Sequence, residues 1–130
     1  AVDLAGFGLA DSLDTGEPKV ADAARFPVNT SLEPGAHLLV VAEQDAAAGV
    51  GPHDVCLPVG GPTVCFYATW GISASKGEKL FLLSPTDIVA AQAEYPIDAV
   101  AAPKTWGRLP DGTGDFAANA PTPGEANTAP

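Results

Sequence analysis

The apolar positions of this chain come in short runs, and glycine or proline closes each run before a long helix could form. The clearest runs are His37-Leu38-Leu39-Val40-Val41-Ala42, Glu78-Lys79-Leu80-Phe81-Leu82-Leu83 and Ile88-Val89-Ala90-Ala91-Gln92-Ala93-Glu94-Tyr95. Between the runs stand Gly16-Glu17-Pro18, Pro34-Gly35, Gly51-Pro52, Gly60-Gly61-Pro62, Pro110-Asp111-Gly112 and Pro123-Gly124. Short strands separated by regular turn signals predict an all-β sandwich or barrel. One run is open to a second reading, because Ala91, Gln92, Ala93 and Glu94 favour helices. Pro85 and Pro96 bracket it tightly, so a strand is predicted there. The stretch from Asp45 to Tyr67 is rich in alanine and glycine and reads as a long excursion from the strands.

Composition narrows the class. At 130 residues, with 46% apolar and 17% charged positions, the chain predicts one globular domain large enough for a real core. No apolar run approaches the roughly 20 residues needed to cross a bilayer, so no membrane insertion is expected. There is no basic region followed by an apolar stretch, so any export signal is expected to be removed or absent here. Six Lys and Arg against sixteen Asp and Glu give a net charge of −10. Such a surface repels phosphate backbones and anionic lipid, which argues against a nucleic-acid partner.

Two cysteines change the picture of the excursion. Cys56 and Cys65 flank Leu57-Pro58-Val59-Gly60-Gly61-Pro62-Thr63-Val64, whose centre is made of turn residues. This is the length and chemistry of a loop pinned by a disulfide, with two free buried thiols as the alternative. In the chain-entropy model such a bridge contributes about 2.5–3 kcal/mol. A disulfide implies an oxidising compartment, hence a secreted, periplasmic or cell-surface location. There is no CxxC, and two cysteines with the scattered His37 and His53 make no zinc site.

Candidate chemistry is sparse, and the expectation is that the chain is not an enzyme. Ser73-Ala74-Ser75-Lys76 fits S-x-x-K, but the S-D-N and K-T-G companions of that acylase motif are missing. Gly71-Ile72-Ser73-Ala74-Ser75 lacks the final glycine of G-x-S-x-G. Asp11 with Asp14, and Asp111 with Asp115, lie close in sequence and could contribute oxygens to calcium. Aspartate at turns is more often explained by its bonds to local backbone, and no EF-hand loop is present, so no cofactor is expected and calcium is the minor alternative. Asn29-Thr30-Ser31 is a formal glycosylation sequon. Arg108 is expected to pair with a nearby carboxylate. Tyr67 and Trp106 are the candidates for an aromatic contact surface, with core or rim packing as the competing role.

Several segments, in order, resemble the lamin-tail domain family. Val2-Asp3-Leu4-Ala5-Gly6-Phe7-Gly8-Leu9-Ala10-Asp11 is similar to the family's "DLSGW-x-LSD". Arg25-Phe26-Pro27 and the stretch from Leu32 to Ala42 resemble "FP-x-GT-x-L-x-PGGYLVV", and Trp70 to Leu83 resembles "F-x-LS-x-x-GE-x-LYLL". Gly107-Arg108-Leu109-Pro110-Asp111-Gly112-Thr113-Gly114-Asp115-Phe116, followed by Pro121-Thr122-Pro123-Gly124-Glu125-Ala126-Asn127, is close to "GR-x-PDG-x-G-x-W…PTPG-x-x-N". The resemblance implies an immunoglobulin-like β-sandwich of the type found in secreted bacterial proteins, over residues 1–127, with the 45–67 excursion inserted and 128–130 as a C-terminal tail. It also implies a first strand missing from this chain, whose place another chain could fill by strand complementation.

The motifs have structural uses: Pro110-Asp111-Gly112 is predicted as a type I turn with Gly112 free to take positive φ, and Gly114 as a second tight position. Phe7, Phe26, Leu39, Val41, Trp70, Leu80, Leu82 and Phe116 are the predicted core. The function that follows is a non-catalytic binding or scaffolding module of a larger protein, attaching it to a protein or to an envelope or matrix component. Contact would run through the stapled 45–67 segment or an open sheet edge. An accessory domain of a hydrolase whose catalytic residues lie upstream, and a calcium-dependent structural module, are the alternatives.

Overall fold

The computed structural model describes residues 1–42, 49–52, 64–73 and 76–130. Among these the regular structure is all β, apart from one 3-10 turn at Val20–Asp22. The strands are β1 (Val2–Asp3), β2 (Gly8–Ala10), β3 (Ala24–Arg25), β4 (Ser31–Leu32), β5 (Val40–Ala42), β6 (Gly49–Pro52), β7 (Val64–Ala68), β8 (Glu78–Leu83), β9 (Val89–Tyr95), β10 (Thr105–Leu109) and β11 (Asp115–Asn119). A four-stranded antiparallel sheet runs β3-β2-β8-β9, and a three-stranded sheet runs β5-β7-β6. In the latter, β5 lies parallel and β6 antiparallel to the central β7. Two small antiparallel pairs, β1-β4 and β10-β11, complete the set.

The two larger sheets share a core, which is the arrangement of a β-sandwich. Ala24 of β3 and Ala68 of β7 are buried with Trp70, and Leu9, Val40, Ala42 and Leu80 pack against them from both sheets. Phe26 and Phe66 add a tilted aromatic pair at 5.2 Å across the same boundary. Ala10, Phe81 and Leu83 form a second buried cluster.

The run at 88–95 forms strand β9 at Val89–Tyr95, between its bracketing prolines, and pairs with β8 except for a register shift between Leu82 and Leu83 that leaves Ala90 unpaired. The turn before it is built by Ser84, whose Oγ accepts the N–H groups of Thr86 and Ile88 at 3.3 and 3.1 Å. Asp87 sits there at φ +67. Arg25 crosses to this turn, pairing with Asp87 and donating to the Ser84 carbonyl at 3.1 Å.

Two sequence expectations are refined. Of the predicted core, Phe26 and Trp70 are buried, while Leu80 and Leu82 are only half-buried; Phe81 and Leu83 take the fully covered positions of β8. Residues 80–83 are all apolar, so alternation could not say which face turns inward. The ends of the 45–67 segment are β6 and β7, and β7 is the centre of its sheet. The rest of that segment falls largely outside the described residues, including Cys56 and His53 and hence the expected bridge to Cys65.

Candidate functional site

The C-terminal segment from Gly107 to Asn127 folds into a clasp. Asp111 Oδ1 accepts the Asn127 backbone N–H at 2.9 Å, and the Asn127 side-chain amide donates to the Arg108 carbonyl at 2.9 Å. His37 Nε2 lies 3.3 Å from Asp111 Oδ2, which brings the start of the β5 run to the same point. Hydrogen bonding from Asn127, aided by His37, holds the Asp111 carboxyl below the usual carboxylate value. Asn119, fully buried in β11, donates to the carbonyls of Gly107 and Ala117 at 3.0 and 2.9 Å. The tail is tied too, since the Ala120 N–H donates to the Thr128 carbonyl at 3.0 Å.

The turn in this clasp differs from the type I form expected. The Thr113 N–H donates to the Pro110 carbonyl at 3.2 Å, and Gly112, at the third position, has φ +71. That is the type II pattern, in which glycine relieves a conformation other residues resist. At Gly114 the requirement is spatial: a Cβ would stand 2.1 Å from the Leu109 carbonyl oxygen.

Arg108 meets an aromatic ring where a carboxylate was expected. Its guanidinium lies 4.7 Å from the centre of the Phe116 ring and donates to the Gly114 carbonyl at 2.9 Å. Trp106, on the same hairpin, stacks with Phe116 at 6.3 Å, and its indole N–H donates to the Glu94 carbonyl of β9 at 3.0 Å. The aromatic rim candidate is thus half-buried and bonded within the molecule. Tyr67 sits far along the chain in β7, half-buried, opposite Gly49; the structure does not bring it and Trp106 together in any described contact.

Ser73 and the sequon are locally engaged. Ser73 Oγ accepts the Lys76 N–H at 3.2 Å, the bond of a turn. Thr30 of the sequon is buried and donates to the Pro27 carbonyl at 2.8 Å. Among the described residues no group of three His, Cys, Asp or Glu is placed to hold a metal ion. No helix of the described residues is long and apolar enough to cross a membrane.

Strand β9 is the feature that sequence reasoning placed but did not single out. It is the longest described strand and lies at the edge of the four-stranded sheet. Its N-terminal half, Val89 to Gln92, is exposed and carries no charge, and Ile88 just before it is 68% exposed. Because the Glu94 carbonyl points out to Trp106, the alternation of an antiparallel ladder turns the N–H and carbonyl of Gln92 outward as well. The β10–β11 hairpin therefore covers the Glu94 end and leaves the Gln92 end open. No family model matches the chain, and no curated protein and no solved structure matches it.

Proposed function

We propose that this chain is a non-catalytic binding or scaffolding module of a secreted or cell-surface protein, an immunoglobulin-like sandwich of the lamin-tail kind. It takes an extended segment of a partner protein along the open half of β9, by strand addition. The observation that carries this reading is the uncharged, exposed edge from Val89 to Gln92, next to the one edge carbonyl that Trp106 already occupies. Natural sheets blunt such edges with charge, proline, bulges or a covering element; here the hairpin covers the Glu94 end, and the open stretch carries only the register shift at Ala90. Glu94 and Asp98 follow the open stretch, and the whole chain carries a net charge of −10. The partner segment accordingly combines β-forming side chains with Lys or Arg flanking them.

The test is to select extended basic peptides against the full chain and follow backbone amide resonances on binding. Shifts confined to residues 88–93, with the Gln92 amide becoming protected from exchange, are expected. Gln92→Pro removes an outward N–H without touching the β8 ladder, and it should abolish binding while the spectrum stays folded. Binding that maps elsewhere, or that survives Gln92→Pro, overturns the reading.

A further inference from the structure

A cleft of about 590 Å³ opens between Lys19 and Asp22 on one side and residues 69–73 on the other, with Lys76 at its rim and Asp11 in its wall. Asp11, which follows β2, is only 8% exposed, and its Oδ1 is buried with no hydrogen-bond partner among the described residues. A local contact with its own main chain bears on the Asp11 carboxyl but leaves Oδ1 unpartnered. It is the Asp11 main-chain carbonyl, not the side chain, that receives the Lys19 N–H at 2.9 Å. A buried polar atom without a partner is a cost that folds seldom keep without a use.

The surroundings say what would relieve it. Burial, then the nearby charge of Glu78, pushes the Asp11 carboxyl upward, and Asp22 acts the same way; Lys19 opposes them. Lys19 is itself 3.5 Å from Asp22. Burial is the largest of these causes, so the Asp11 carboxylate is short of solvation more than it is crowded by like charge. Beside it lies apolar surface: Trp70, buried and fixed by its indole N–H on the Asp22 carbonyl at 3.0 Å, and Ile72, 47% exposed. Ile72 and the edge of Trp70, beside a carboxylate with one unpartnered oxygen in an otherwise mostly polar cleft, suit a positive charge on a short hydrocarbon stem. A bare metal ion suits it less, since hard cations collect six to eight oxygens and no such group stands here among the described residues.

We propose that this cleft binds an alkylammonium group, with its charge at Asp11 and its methylene stem against Trp70 and Ile72. A free amine and a lysine side chain of another protein share this chemistry. The Lys76 ammonium, at the rim, competes for the same field. This site is separate from the β9 edge and stands or falls without it.

The experiment is an amide NMR titration of the full chain at pH 7 with n-butylamine, with a blocked lysine peptide, with the matching norleucine peptide and with calcium chloride. Saturable shifts at Asp11, Asp22, Ser73 and the Trp70 indole are expected with both amines and not with norleucine. Asp11→Asn should weaken binding about tenfold or more, equivalent to about 1.4 kcal/mol, with the rest of the spectrum unchanged. Lys76→Ala should tighten it. Tighter binding of the peptide than of n-butylamine assigns the site to a protein lysine, and the reverse order assigns it to a free amine. No saturable shift, equal binding of norleucine, unchanged affinity in Asp11→Asn, or the same shifts produced by calcium alone overturns the proposal.

Discussion

The indole N–H of Trp106 donates to the main-chain carbonyl of Glu94 at 3.0 Å, and this bond joins the β10–β11 hairpin to the edge of the four-stranded sheet. One side chain thereby closes part of an edge that would otherwise run open for all of β9. Trp106→Phe keeps an aromatic ring to stack on Phe116 but removes the donor. The variant should lose about 1 kcal/mol of stability, the net worth of one such bond, read from the urea midpoint. A loss near zero would mean that the hairpin is held by stacking alone.

At Gly114 the demand is steric, because an added Cβ would collide with the main chain of Leu109 and Pro110. Gly114→Ala should cost about 2–3 kcal/mol, as overpacking against rigid backbone does. Gly35→Ala is the control: its φ of +77 is also unfavourable to alanine, but nothing stands within 4 Å of the added carbon. The thermal shift should be clearly smaller there.

Asp111 gives the clasp a pH dependence of predictable sign. Its carboxyl is held below the ordinary 3.8, so folded protein keeps the charged form longer than unfolded chain does. Its contribution is present above pH 3.8 and is lost as pH falls through the lowered folded value. The Asn127 amide proton should titrate with a midpoint below 3.8, and Asp111→Asn should remove that titration.

Asp11 works in the opposite sense. Its carboxyl is raised above 3.8 by burial and by Glu78, so between 3.8 and the raised value the folded state holds more protons. Stability from this group is full below 3.8 and falls as pH rises through the raised value. Asp11→Asn should therefore raise the melting temperature at pH 7, by about 1 kcal/mol in stability. The gain should vanish below pH 3.8, and a variant less stable than the parent at pH 7 would mean the carboxylate has a partner.

Much of the fold is written locally in this chain. The strands at 78–83 and 89–95 follow from apolar runs fenced by Gly77, Pro85 and Pro96, and backbone limits at glycine and proline act without help from distant residues. The tight position at Gly114 was legible for the same reason. Other features depend on which residues meet across the sheets. Leu80 to Leu83 reads the same on both faces, and only packing turned Phe81 and Leu83 inward. Arg108 found Phe116 directly across the hairpin, a partner fixed by register between β10 and β11 and not by charge. Asp11 reads as an ordinary turn aspartate, yet the fold leaves it only 8% exposed, with Oδ1 unpartnered among the described residues. Solvation is a property of the assembled fold, and no spacing along the chain encodes it.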